Sequence, residues 1–181
     1  MVPDKPEYKR VDTSQFDSQA STRGRLSPEE ASRKLRAAFG HFPSGVTVVS
    51  YSHQGRAYGV TVSSFTPISL EPPLILVSLM RSGRAADLLP HVPFAVNVLA
   101  SDQFDVAFQF AGLSSSPIEV EWDMSSSAPR LTYAHAYFTC RPWRTYDGGD
   151  HVLVLGEVLD YRSTPDTHPL IVHRGAWQSM A

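Results

Sequence analysis

A single cysteine, Cys140, stands in the 181 residues of this chain. An internal disulfide and a cysteine-only metal site are thereby excluded, and the fold must rest on packing and hydrogen bonds. Charge of one sign is lacking too. Lys and Arg number 16 against 18 Asp and Glu, a formal net charge of −2, which argues against strong attraction to nucleic acid or an anionic membrane. No apolar run approaches the ~20 residues that span a bilayer, and the opening MVPDKPEYKR has no apolar signal-peptide core. Catalytic signatures are absent as well: there is no GxSxG elbow, HExxH zinc helix, P-loop or GxGxxG fingerprint. The seven histidines are dispersed, so no metal site is expected. What remains is an ordinary balance, 42% hydrophobic and 19% charged, over one domain's length with enough residues for a full core. A cytoplasmic enzyme or binding protein fits these bounds.

Residues 1–26 are polar with scattered charge and read as an arm, flexible or draped on a partner; residues 27–181 read as one domain. Ser27-Pro28-Glu29-Glu30 has the marks of a helix start, with Ser27 as N-cap and Glu30 closing a capping box. Ala31, Leu35, Ala38 and Phe39 share a face, Gly40 is a stop, and the helix is expected to pack on the domain. From Gly45 the pattern changes to strands. Val46 to Tyr51 runs into a His53-Gln54-Gly55 turn, and Ala57 onward returns.

The chain is organised around Gly59 to Leu79, GVTVSSFTPISLEPPLILVSL. Val60, Val62 and Phe65 are strand formers, while Thr61, Ser63 and Ser64 bring three hydroxyls and several amides together. Pro67 cannot donate to a ladder, so the chain is expected to leave the sheet there. Such a strand end suits a flat, polar-edged ligand; the same residues also read as a hairpin with a Ser/Thr-rich corner. Leu74 to Leu79 and Phe94 to Leu99 are apolar strands. Ser82 to Leu89 reads as a short helix, and Asp102 to Phe110 as another with Phe104, Ala107 and Phe108 on one face. Residues 112–130 read as a long surface loop, and strands follow over 131–146, 152–161 and 170–173, with Trp177 closing. Strands that do not alternate regularly with helices predict a mostly antiparallel β-barrel with a few helices rather than a doubly wound sheet.

Two further motifs carry chemistry. Ser82-Gly83-Arg84 follows a strand and opens a helix, where amides and positive potential favour phosphate, and Arg81 and Arg84 add charge. Ser82 also reads as a plain helix cap, the commoner role of a serine at such a start. Gly148-Gly149-Asp150-His151 lies between two late strands. It is either a solvated turn or an imidazole over a ligand, able to hydrogen-bond or change charge near neutral pH. Cys140, mid-strand, reads as a packed thiol.

In order and spacing, several pieces resemble the flavin reductase-like domain: Phe42 to Val49, Gly59 to Phe65, Ser69 to Leu74, Phe94 to Leu99, the Gln103 to Phe110 helix, and Gly149-Asp150-His151. The similarity runs from about Ala31 to Trp177 and is greatest to the small reductase subunits of two-component flavin-dependent monooxygenases. It implies a split β-barrel homodimer that binds FMN or FAD, oxidises NADH or NADPH, and supplies reduced flavin to a partner monooxygenase. By the same resemblance Thr61, Val62, Ser63 and Ser64 hold the isoalloxazine edge, mostly through backbone groups. Ser82 and Arg84 receive the flavin phosphate, Pro43 and Ser44 border the flavin, and Asp150 and His151 sit near the nicotinamide as the catalytic pair. Ser44 stands where the family usually has Thr, which leaves that side chain's contact open. Two alternatives are a flavin carrier without turnover and an oxidase of a small amine or phosphorylated vitamer. Gly149-Asp150-His151 disfavours the first, and the lack of a second basic cluster disfavours the second.

Overall fold

Ser27 caps the first helix, α1 (Pro28–Phe39), as the capping box requires. The Glu30 amide donates to Ser27 Oγ at 3.2 Å, and the Ser27 amide donates to Glu30 Oε2 at 3.1 Å, an arrangement worth about 0.5–2 kcal/mol. No residue of α1 is buried, and Leu35 and Phe39 are 54% and 69% exposed. The computed structural model describes residues 27–165 and 167–179, and the arm expected over 1–26 lies outside them. The chain divides into two units, Met1–Ala38 and Phe39–Ala181.

In the second unit the chain runs β1 (Ser44–Gly45), β2 (Thr47–His53), β3 (Arg56–Val62), β4 (Thr66–Leu70), β5 (Pro73–Met80), α2 (Arg84–Leu88) and β6 (Phe94–Val98). It continues through α3 (Phe104–Phe110), β7 (Trp122–Asp123), β8 (Arg130–Leu131), β9 (Ala136–Gly148), β10 (His151–Ser163), β11 (Leu170–His173) and β12 (Ala176–Ser179). Seven strands form one sheet in the order β3-β2-β6-β9-β10-β5-β4, with every neighbouring pair antiparallel. A three-stranded sheet, β1-β11-β12, and the β7-β8 pair complete it. The fold is thus mostly β with few helices. Among the described residues no helix is long and apolar enough to cross a membrane.

Turn chemistry explains the first hairpin. Gln54 and Gly55 have φ of 51° and 73° between the paired residues His53 and Arg56, which suits the right-handed twist of the flanking strands. Pro67 corrects the expectation that the chain leaves the sheet. It lies within β4 and pairs with Ile75, beside a register irregularity. Because β4 is an edge strand, a missing N–H breaks no inner ladder.

Period-two alternation separates two cores. Val49, Tyr51, Ile75, Val77, Leu79, Phe94, Val96, Cys140 and Val154 pack with Leu89 on one side. Val46, Val48, Leu99, Ala107, Leu131 and Leu170 pack on the other. Burial pushes the Cys140 thiol up to about 12, so it is a packed thiol as expected, not a nucleophile. In α3, Phe104 and Phe110 pack with Ala107, while Phe108 is exposed and lies against Trp177, ring centres 5.2 Å apart. Phe110, not Phe108, completes the inner face.

The loop over 112–130 is tied down at its end. Asn97, fully buried, accepts from the Leu131 amide at 2.8 Å and donates to Val48 O at 2.9 Å. Arg130 binds Asp123 at 2.6 Å and Asp160 at 2.8 Å, with its guanidinium carbon 4.5 Å from the Tyr137 ring centre.

Candidate functional site

The β9–β10 hairpin ends in a two-residue turn, Gly149-Asp150, between the paired residues Gly148 and His151. Gly149 has φ of 76°, and a Cβ there would meet nothing within 4 Å. The backbone conformation, not space, therefore calls for glycine. On its other side His151 pairs with Met80, the last residue of β5. The segment Arg81-Ser82-Gly83 consequently leaves β5 alongside the hairpin tip.

Arg81 joins the two. Its amide donates to Asp150 O at 3.0 Å, its Nε donates to Gly149 O at 2.8 Å, and its terminal nitrogen binds Asp147 Oδ1 at 2.6 Å. The Gly149 amide donates to the same Asp147 oxygen at 3.1 Å. The charge of Arg81, expected to serve a phosphate, is instead matched by Asp147. His151 Nδ1 lies 2.7 Å from Asp150 Oδ1. An ionised carboxylate can only accept, so Nδ1 carries the proton in this pair and Nε2 is left for other partners.

Ser82 is not the cap of α2. Gly83 occupies that position, with no side-chain cap bond, and the helix is only five residues long. Its dipole adds little, so any phosphate affinity rests on side chains. Arg84 supplies it: the guanidinium carbon is 5.0 Å above the Tyr58 ring, and no carboxylate pairs with Arg84 among the described residues. Tyr58 in turn stacks on Tyr51 at 5.9 Å. Burial raises the Tyr51 hydroxyl above its ordinary pKa, while the nearby Arg84 charge pulls the other way. Ser82 is exposed two residues earlier. A free guanidinium and a hydroxyl make a donor set suited to a phosphate.

The Thr61 to Ser64 corner continues from the Tyr58 strand. Thr61 Oγ1 donates to Ala107 O at 2.8 Å. Ser64 Oγ donates to Ser78 O at 3.0 Å and accepts from the Ser78 amide at 2.9 Å. Thr47 Oγ1 donates to Val62 O at 3.0 Å. Two of the three hydroxyls thus hold the corner to α3 and β5, while Ser63 is exposed. What the corner offers a ligand is the Ser63 hydroxyl and main-chain groups. Ser78 also anchors the register, because Leu153 of β10 pairs with it two rungs from the Met80–His151 pair.

The structure therefore gathers Ser82, Arg84, Asp150 and His151 around the end of β5, with Thr61 to Ser64 tied to the same strand. Pro43 and Ser44 are set differently. Ser44 belongs to β1 and pairs with Val172 of β11, and Pro43 is exposed. Sequence reasoning missed Tyr58, Ser78 and the bridging role of Arg81. Tyr58 was open to discovery, since it alternates with Val60 and Val62; Ser78 gave no signal, and Arg81 signalled charge but not its partner. Among the described residues no group of three His, Cys, Asp or Glu is placed to hold a metal ion.

Comparison with known proteins places the chain in a family. Residues 39–181 match the family model described as flavin reductase like domain. An NADH-dependent flavin reductase of a Rhodococcus species is 32% identical over 163 residues, covering 88% of this chain and 92% of that one. The reductase component of a 4-nitrophenol 4-monooxygenase/4-nitrocatechol 2-monooxygenase from Rhodococcus opacus is 35% identical over 144 residues, 78% of this chain and 77% of its own. Among solved structures, an NADH:FAD oxidoreductase of Streptomyces globisporus, in complex with NAD and FAD fragments, superposes with a TM-score of 0.78 at 34% identity, covering 87% of this chain and 98% of that one. The mostly β fold with few helices is that of this flavin reductase structure. This chain belongs to the flavin reductase-like domain family.

Proposed function

We propose that this protein is an NAD(P)H:flavin oxidoreductase that reduces FMN or FAD and supplies the reduced flavin to a separate monooxygenase. One observation carries the reading. The Ser82–Arg84 segment and the Asp150–His151 tip are held side by side on adjacent strands, through the Arg81 amide bond to Asp150 O and the Met80–His151 pair. A phosphate anchor thus stands next to an imidazole with a fixed proton. The names of the relatives, reductases and reductase components, support the same conclusion.

Flavin, when bound, supplies the hydride acceptor, so the protein need furnish no strong acid, base or nucleophile. Its residues bind and orient. Arg84 and Ser82 hold the phosphate, and Ser63 with the main chain of Thr61, Val62 and Ser64 meets the ring edge. His151, steadied by Asp150, aligns the nicotinamide, because transfer needs reacting atoms about 3–3.5 Å apart. The absence of a catalytic triad follows from this division of labour.

The reductase domain runs over 27–181 and works in the cytoplasm, where reduced nicotinamide is made. The seven-stranded sheet is read as a split barrel that pairs as a homodimer. Leu70 is 95% exposed and Tyr161 71%, with Ile68 and Leu159 also exposed, an apolar surface suited to a second copy. Tyr137 and Phe138 are engaged within the chain, Tyr137 under Arg130 and Phe138 between Phe65 and Tyr161. Light scattering should give twice the 20.0 kDa of one chain; a fully active monomer would refute the pairing.

The test of activity mixes the protein with NADH or NADPH and follows loss of the reduced-nicotinamide absorbance as flavin is added over a roughly micromolar range. Flavin-dependent oxidation is expected. Flavin binding without oxidation would refute the reductase reading in favour of a carrier, and the absence of both binding and oxidation would refute either.

A further inference from the structure

We infer that Arg81 is the positioning residue that sets the Asp150–His151 tip against the Ser82–Arg84 segment, an inference that rests on the reductase reading of the site. Three features single it out. First, its side chain crosses from the segment after β5 to the tip of the β9–β10 hairpin, binding Gly149 O through Nε at 2.8 Å and Asp147 Oδ1 through a terminal nitrogen at 2.6 Å. Second, Gly149 O belongs to the central peptide of the turn, a carbonyl that a two-residue hairpin leaves outside the strand ladder. Arg81 satisfies it, and the Gly149 amide reaches the same Asp147 oxygen at 3.1 Å. The guanidinium, the carboxylate and both polar groups of Gly149 are thus joined to one another, immediately before the residue whose carboxylate holds the His151 ring.

Third, the ion pair is poorly placed to stabilise the fold. Its side chains are 49% and 62% exposed, and such pairs contribute little to stability in water. Removing it should therefore leave the sheet intact and release only the tip. The amide bond from Arg81 to Asp150 O survives any side-chain change and keeps the strands in register. The planar fork is needed because Nε and the terminal nitrogen act on two acceptors at once; a lysine has a single nitrogen to share between them.

Arg81→Gln and Asp147→Asn are the variants to make, with Arg81→Lys as the conservative control. In flavin-free protein, amide hydrogen exchange at Gly149, Asp150 and His151 should quicken in Arg81→Gln, while the melting temperature and exchange in the β5 and β10 interiors stay as in the wild type. In anaerobic stopped-flow measurements the same variant should reduce flavin about tenfold more slowly, with a raised KM for the nicotinamide and an unchanged flavin Kd; misplacement of about 1 Å is known to cost on the order of a hundredfold. Arg81→Lys should fall between the two. Combining Arg81→Gln with His151→Ala should add nothing to the loss from His151→Ala alone, because Arg81 acts through the tip. Unchanged tip exchange in Arg81→Gln, or full additivity in the double variant, overturns the inference. A wild-type protein that oxidises no nicotinamide overturns the reductase reading instead, and the exchange experiment still decides whether Arg81 orders the tip.

Discussion

Arg84 offers the sharpest test of the phosphate site. Its guanidinium lies over Tyr58 at 5.0 Å and has no carboxylate partner among the described residues, so its charge is available to a ligand. Arg84→Met keeps the stem on the ring and removes only the charge. Loss of a hydrogen bond to a charged group costs about 1.5–3 kcal/mol, and each 1.4 kcal/mol is about tenfold in affinity. Flavin Kd should therefore rise roughly ten- to a hundredfold. Stability should move much less, since an exposed cation over an aromatic ring is worth only about 0.5–1 kcal/mol. Arg84→Lys, which keeps the charge but not the fork, should fall in between. Flavin fluorescence quenching, titrated at low and high salt, measures the effect, and the variant should also lose most of the salt dependence. A Kd within about twofold of wild type, with a normal melting curve, would refute the assignment.

His151→Ala should leave flavin affinity nearly intact while slowing anaerobic flavin reduction by roughly ten- to a hundredfold and raising the KM for the nicotinamide, as expected for one lost positioning contact; wild-type kinetics would return the tip to a solvated turn. Gly156→Ala should destabilise by about 1–3 kcal/mol in urea titration, since its Cβ would lie 2.5 Å from Phe94 Cζ and 2.9 Å from Cys140 Cβ in the buried core. The Asp123 carboxyl is held down from 3.8 to about 2, first by hydrogen bonds from Ser125 and then by Arg130. A depressed carboxylate stabilises the fold above its ordinary pKa and loses that contribution as pH falls toward the folded value. Asp123→Asn should thus lower the urea midpoint at neutral pH and converge with wild type near pH 2; equal midpoints at neutral pH would count against it.

Local rules made much of the framework legible. Ser27 and Glu30 form the capping box because its two bonds join residues only three apart. The Gln54-Gly55 turn and the alternation of Val48 and Val49 between two cores likewise follow from short-range periodicity. Pro67 was misread because its missing N–H matters only inside a sheet, and the sequence does not say which strand is at the edge. Phe108 was misplaced on α3 because an aromatic at helical spacing reads as core whether it meets the core or, as here, Trp177.

The site divides in the same way. Residue types and spacing by themselves marked the Ser/Thr corner, the Ser82–Arg84 segment and the Gly149-Asp150-His151 turn as candidates, since each is a local turn or strand end with exposed donors. Only the tertiary structure decided that two of the corner's hydroxyls face inward to Ala107 and Ser78, that Gly83 rather than Ser82 caps α2, and that Arg84 rather than Arg81 keeps a free charge. These outcomes depend on partners 46, 14 and 66 residues away in the chain. Long-range partners of that kind are chosen by strand register, and register emerges only when the whole sheet is assembled.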